Sequence, residues 1–97
     1  MMEGINMVDE NKVQESVAEF LENPYWAKYY NEAPSDVCKR YIALEFYFSD
    51  SEDEEAADEM DSLENELNLA DWQHLLKYCG NNPRRVVIAE KIKALSE

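Results

Sequence analysis

The stretch DVCKRYIALEFYF, residues 36–48, decides the fold of this chain. Its apolar residues recur at helical spacing and cover most of the helix circumference: Val37, Cys38, Tyr41, Ile42, Leu44, Phe46 and Phe48. A helix that is apolar on nearly every side has to be surrounded by other elements. We therefore predict that this segment, with Ser35 as its N-cap, is the central helix of the domain.

Helical spacing of apolar residues continues on both sides of this segment, and no stretch alternates like a strand. Further helices are predicted over residues 11–22, after Asn23-Pro24, over 53–67, over 69–79 and from Asn82-Pro83 onwards. Asn68 and Asp71 resemble a capping pair for the helix over 69–79. The predicted fold is all-α: a compact single-domain bundle of five to six short helices, with residues 1–10 a flexible N-terminus and residues 11–97 the helical domain.

The composition is that of a folded but strongly acidic domain. The chain has 97 residues, a formal net charge of −13 and 11% aromatic residues. This aromatic content argues against disorder, because disordered acidic chains contain few aromatic residues. The charge repels phosphate backbones and anionic membranes, and it favours a basic protein partner. We therefore expect no direct contact with nucleic acid or with a membrane.

Several classes of protein are disfavoured by the sequence. The two cysteines stand in no metal-binding spacing and are expected to be free thiols in a reducing cytoplasm. The N-terminus lacks the apolar region of a signal peptide, and no apolar run is long enough to span a membrane. His74 is the only histidine, and neither a Gly-rich phosphate loop nor a catalytic constellation can be found. We expect a cytoplasmic protein that is not an enzyme and that holds no metal or cofactor.

Residues 50–66 form an acidic block of ten carboxylates without a single Lys or Arg. These carboxylates belong to Asp50, Glu52, Asp53, Glu54, Glu55, Asp58, Glu59, Asp61, Glu64 and Glu66. Along a helix they would give about one negative charge per 2–3 Å, against about one per 1.7 Å along duplex DNA. The helical stripe of Ala56, Met60, Leu63 and Leu67 is predicted to face the core, which turns most of the carboxylates outward.

The acidic block has two interpretations. It can be simply the solvated face of an amphipathic helix. However, exposed helices usually place Lys among Glu, and neighbours such as Glu55 and Glu59 repel each other by about 0.2–0.5 kcal/mol. A sequence that keeps this repulsion favours a binding site for a basic partner. On this interpretation Asp58, Glu59 and Asp61 can all be changed to Lys without loss of the fold.

A short aromatic segment follows Asn23-Pro24 and contains Tyr25, Trp26, Tyr29 and Tyr30. These residues form two pairs at i,i+4 spacing, and a helix of two turns cannot easily bury both pairs. One interpretation places the segment in the core alone, and the other adds a contact surface for a partner, because exposed Tyr and Trp are enriched at interfaces. A structural or assembly protein that forms homo-oligomers through Tyr25, Trp26 and Tyr30 is a further possibility.

The C-terminal third reverses the charge, because it concentrates Arg84, Arg85, Lys91 and Lys93 in one predicted helix. Together with the preceding helix it loosely resembles a helix-turn-helix, whose second helix enters a DNA groove. The alternative function is therefore a small DNA-binding regulator. Counter-charge to the acidic block is the simpler explanation of these cations.

Three segments resemble a known group of proteins: NPYW at 23–26, YIALEFY at 41–47 and YCGNNP at 78–83. They are similar to small acidic proteins of Firmicutes plasmids, conjugative elements and phages, a group in which anti-CRISPR inhibitors recur. The resemblance implies a binding or inhibitor protein that occupies a basic, nucleic-acid-handling surface, such as the channel of a type II CRISPR nuclease. It carries no catalytic motif.

Overall fold

The computed structural model describes residues 8–79 and 84–96, and this part of the chain contains six helices and no strand. The helices are α1 (Glu10–Phe20), α2 (Pro24–Asn31), α3 (Asp36–Ser51), α4 (Glu54–Glu64), α5 (Leu69–Cys79) and α6 (Arg84–Ser96). The prediction of an all-α, compact single-domain bundle is confirmed. None of the described helices is both long and apolar enough to cross a lipid bilayer.

Polar N-caps fix where four of the helices begin. Asp9, Asn23, Ser35 and Asp53 each accept a hydrogen bond from a backbone N–H of the first turn that follows. These caps satisfy donors that the helix itself leaves unpaired. Pro24 adds a preset backbone angle at the first position of α2. The short turns between the helices are therefore encoded locally.

Helix α3 is the centre of the bundle, as its apolar circumference predicts. Helices α1, α2 and α4 all pack against it. Its buried side chains are Cys38, Tyr41, Ile42, Ala43, Leu44, Phe46 and Tyr47. Around them, buried residues of the other five helices complete one continuous core.

Helix α3 runs to Ser51, three residues beyond its predicted end at Phe48. Polar residues alone do not stop a helix, and the stop comes from Glu52, whose φ of 55° is left-handed. The Glu52 N–H donates to the Phe48 carbonyl at 2.8 Å and closes the last turn. Helix α4 ends at Glu64, three residues before its predicted end, and Leu67 is buried beyond it.

The predicted capping pair at the start of α5 is present. Asn68 and Asp71 exchange two hydrogen bonds, from the Asn68 N–H to Asp71 Oδ2 at 3.0 Å and from the Asp71 N–H to Asn68 Oδ1 at 2.9 Å. Asp71 is only 1% exposed, and its Oδ1 also accepts from the Ser35 hydroxyl at 2.9 Å. Because Ser35 caps α3, one carboxylate connects the N-termini of α3 and α5.

Helix α6 packs against α5 through Ile88, which is buried, and Ile92, which lies against the core. The sequence spacing of Ile88, Ile92 and Leu95 predicts one apolar stripe on α6, but Leu95 is 49% exposed, so that part of the prediction is wrong. The predicted turn at Gly80 and the predicted helix start at Asn82-Pro83 lie outside the described residues.

The described structure begins at Val8, which is buried, and Asp9, which caps α1. The helical domain thus starts slightly before the predicted residue 11, and the prediction for residues 1–7 lies outside the described residues. Cys38 of α3 is a free, buried thiol. Burial, with the Asp71 carboxylate acting in the same direction, raises the pKa of the Cys38 thiol to about 12.

Replacing Asp71 with Ala should lower the free energy of unfolding by about 1–3 kcal/mol, because it removes the buried carboxylate that accepts from the Asn68 N–H and from the Ser35 hydroxyl. Urea unfolding followed by circular dichroism measures the change. Asp36→Ala is the matched control, because Asp36 is an exposed acid in the first turn of α3. Equal losses in the two variants would contradict the role of Asp71.

Candidate partner-binding surface

Seven of the ten carboxylates predicted as a binding site are exposed. They are Asp50, Glu52, Glu54, Glu55, Asp58, Asp61 and Glu66, and we call them the acidic surface. They follow the end of α3, the turn into α4, α4 itself and the turn after it. Glu54, Asp58 and Asp61 were predicted to point away from the core, and they do.

Two of the remaining three carboxylates hold α4 in place rather than face solvent. Asp53 caps α4 and also accepts from the Tyr47 hydroxyl at 2.9 Å. Glu64, at the other end of the helix, accepts from the Tyr41 hydroxyl at 3.0 Å. Both ends of α4 are thus fixed to the central helix by carboxylate–phenol hydrogen bonds. The cap position of Asp53 could have been found from the sequence, but the partner of Glu64 could not.

The third inward carboxylate, Glu59, forms an ion pair with Arg40 of α3. Arg40 Nε donates to Glu59 Oε2 at 2.9 Å, while its two Nη atoms donate to the two oxygens of Glu10 at 2.8 and 2.6 Å. Hydrogen bonds with Glu59 and then Glu10 raise the pKa of Arg40 above its usual range. The prediction that Glu59 could be changed to Lys without harm to the fold is therefore wrong, because Lys there would face Arg40.

Helix geometry leaves the acidic surface unevenly stabilised. Glu54 and Glu55 lie in the first turn of α4, where the positive end of the helix dipole favours carboxylates. Asp61 lies in the last turn, where the dipole disfavours a negative charge. Asp58 sits four residues from Glu54 and repels it. The contacts of Arg40, Tyr41 and Tyr47 offset this repulsion by tying the opposite side of the helix to α3.

The aromatic segment is mostly core. Tyr29 is buried, and Trp26 and Tyr30 are half-buried against the core, whereas Tyr25 is 48% exposed. The two i,i+4 pairs can both be covered because α2 is flanked by several helices. Trp26 packs edge-on against Phe20 of α1 at 6.2 Å between ring centroids.

On the other side of α2, the Tyr29 ring stacks on His74 of α5 at 5.4 Å. The Tyr25 hydroxyl donates to the Tyr78 carbonyl of the same helix at 3.1 Å. Of the predicted contact surface on this segment, Tyr25 is exposed, Trp26 and Tyr30 are partly accessible, and Tyr29 is buried. The sequence pattern describes one helix at a time and does not reveal how many neighbours cover it.

A chain of hydrogen bonds through the bundle was not predicted. The Tyr29 hydroxyl donates to Glu45 Oε1 at 2.9 Å, and Arg84 Nη1 donates to Glu45 Oε2 at 2.7 Å. Arg84 Nη2 also donates to the Tyr41 hydroxyl, which in turn donates to Glu64. This chain of hydrogen bonds joins α2, α3, α4 and α6. No spacing signal could have found it, because Glu45 and Arg84 are 39 positions apart.

The two buried tyrosine hydroxyls in this chain of hydrogen bonds keep their protons. Burial, reinforced by the Glu45 carboxylate, raises the pKa of Tyr29 far above its ordinary value. Burial also raises the pKa of Tyr41, although the Arg84 guanidinium acts in the opposite direction. Both hydroxyls are therefore fixed as donors to carboxylates. The carboxylates accept, and Arg84 carries the positive charge that balances Glu45.

A cavity of about 340 Å³ lies beside this chain of hydrogen bonds. Its floor consists of buried apolar and aromatic side chains: Tyr29, Phe46, Leu75, Tyr78 and Ile88. Its rim includes the exposed Ser49, and the side chains of Arg84 and Glu45, which are 37% and 31% exposed. We call it the aromatic cavity. It was not predicted, because its walls come from five helices.

The basic residues of α6 are not equivalent. Arg84 is held by Glu45 and Tyr41 and contributes to the packing of the bundle. Arg85, Lys91 and Lys93 are exposed. The helix that the DNA-binding alternative needs therefore offers three exposed cations rather than four.

The described residues contain no group of His, Cys, Asp and Glu arranged to hold a metal ion. His74 is buried, and its Nε2 lies 2.7 Å from the Tyr29 carbonyl oxygen. Comparisons with protein-family models, with curated proteins and with solved structures found no match to this chain.

Alkaline pH should destabilise the fold, because the unfolded chain releases phenol protons near the ordinary tyrosine pKa of 10.0 while Tyr29 and Tyr41 retain them. The two tyrosines contribute their full stabilisation below that pH. Above it, the free energy of unfolding falls by about 1.4 kcal/mol per pH unit for each tyrosine. The midpoint of urea unfolding at about pH 8 and about pH 11 measures the loss.

In this experiment Tyr29→Phe should reduce the pH-dependent loss, because one retained proton is removed. Tyr25→Phe is the matched control, because it removes a phenol hydroxyl that takes no part in the hydrogen bonds of Tyr29 and Tyr41. A Tyr29→Phe variant that loses as much stability as the parent protein would contradict the argument.

Proposed function

We propose that this protein is a non-enzymatic binding protein that occupies a basic surface of another protein, one that normally holds RNA or DNA. The observation that carries the proposal is that the carboxylates of residues 50–66 fall into two groups with different positions. Three of them attach α4 to the bundle, and seven form the exposed acidic surface. Lys residues among the exposed carboxylates would relieve their mutual repulsion, and the absence of Lys and Arg from residues 50–66 supports a use for the exposed charge.

The attachment of α4 supports binding because it orders the carboxylates in advance. Asp53 and Glu64 fix the two ends of the helix, and the Arg40 ion pair with Glu59 fixes its middle. A surface that is ordered before it meets its partner loses less entropy on binding. Each exposed carboxylate can then accept charge-assisted hydrogen bonds from Lys or Arg in the place of a phosphate.

The charge of the whole molecule supports the same partner. A formal net charge of −13 accelerates the approach of a positively charged surface and opposes direct binding to DNA or RNA. Because the attraction is electrostatic, binding should weaken steeply as ionic strength rises. An RNA-guided nuclease is one partner that presents such a surface, as the resemblance to proteins of mobile elements implies. That narrower identity stays a prediction.

Changing Asp58, Asp61 and Glu66 together to Lys should leave the fold intact and abolish partner binding, because each change turns an attraction into a repulsion. All three side chains are exposed, and Lys late in α4 is favoured by the helix dipole. The measurement is affinity capture from a lysate of the host, with identification of the bound proteins by mass spectrometry.

The matched control is the triple change of Glu15, Glu19 and Glu22 to Lys. These exposed carboxylates belong to α1 and the turn after it, so the control has the same net charge but an intact acidic surface. Nucleic-acid-binding proteins should be captured by the parent and the control, lost by the α4 variant and released by added RNA. Equal capture by both triple variants would contradict the proposal.

A further inference from the structure

The aromatic cavity and the acidic surface are neighbours. Ser49 lies at the rim of the cavity and is exposed. Asp50, the first carboxylate of the acidic surface, is the next residue, and Glu52 follows at the end of α3. A partner that covers the acidic surface at this end therefore also covers the mouth of the cavity.

The walls of the cavity select a neutral apolar occupant. Tyr29, Phe46 and Tyr78 contribute aromatic rings to the floor, and Leu75 and Ile88 complete it with aliphatic side chains. The charged groups at the rim are Arg84 and Glu45, and each already holds the other in an ion pair at 2.7 Å. A Lys or Arg inserted here would lie against the Arg84 guanidinium and lose its water without a new counter-charge.

The size of the cavity points to a single side chain. Its 340 Å³ lies near the lower end of the range of about 300–1,000 Å³ that ligand pockets occupy. Protein interfaces concentrate their binding energy in a few aromatic side chains that fill pockets of this kind and are surrounded by a polar rim. Asp50 and Glu52 follow the rim residue Ser49 along the chain, so exposed carboxylates lie close enough to suit basic neighbours of the inserted residue.

We propose that the partner inserts one aromatic side chain into the aromatic cavity, and that Lys or Arg residues beside it pair with the acidic surface. This inference rests on the proposed function and specifies the partner's chemistry: a basic segment with a neutral aromatic anchor. The basic residues lie on the Ser49 side of the anchor, because Arg84 occupies the other part of the rim.

Two synthetic peptides test the inference with the intact protein. One carries several Lys and Arg residues around a single tryptophan, and the other has alanine in place of the tryptophan. Isothermal titration at low ionic strength should give an affinity about 30-fold higher for the tryptophan peptide, as for a typical hot-spot residue. The indole resonance of Trp26, which also lines the cavity, should shift in the NMR spectrum only with that peptide.

A blocking variant identifies the site. Ser49→Trp places a bulky side chain at the mouth of the cavity from an exposed position and should remove the advantage of the tryptophan peptide. Ser49→Ala is the matched control and should keep it. Circular dichroism of both variants verifies that the fold is retained.

The outcomes separate this inference from the proposed function. If the two peptides bind the parent protein with equal affinity and fail to bind the variant with Asp58, Asp61 and Glu66 changed to Lys, the acidic surface is a binding site. In that case the inference about the cavity is overturned. The inference is also overturned if the Ser49→Trp variant still binds the tryptophan peptide more tightly than the alanine peptide. If neither peptide binds at low ionic strength, the proposed function is overturned together with it.

Discussion

The need to cover α3 on nearly every side governs this structure. A helix with seven buried side chains cannot face water on any long stretch, so helices have to surround it. The polar residues that α3 does carry must then find partners among those helices. Arg40 pairs with Glu10 of α1 and Glu59 of α4, and Glu45 pairs with Arg84 of α6. The ion pairs of the bundle thus follow from the burial of its centre.

The same constraint explains how a small chain tolerates its acidity. It contains 22 acidic and 9 basic residues, and two of the basic ones, Arg40 and Arg84, are used between helices. Hydrogen bonds to charged groups contribute about 1.5–3 kcal/mol, more than the few tenths that each repelling pair on a helix surface costs. The acidic helix α4 is therefore held by its inner side while its outer side remains strongly charged.

The sequence predicts the local features of this fold better than its long-range contacts. Ser35 and the Asn68–Asp71 pair are recognisable because a cap and its helix are adjacent, and the predicted bounds of the helix over 69–79 are those observed. The end of α3 at Glu52 was missed, because a left-handed residue other than Gly leaves no mark in the pattern. The inward side of the acidic block was missed for another reason. Arg40 is 19 residues from Glu59, and periodicity relates only residues within one helix.

The burial of Cys38 gives the protein a chemical reporter of its own motions. Thiol reagents attack the thiolate, and a pKa of about 12 keeps that form scarce at neutral pH. The side chain is also shielded completely by the helices around α3. Its alkylation therefore has to wait for the bundle to open, so the reaction rate measures how often the centre becomes accessible. Such a measurement needs no added label, and it would reveal whether a bound partner makes the opening of the core less frequent.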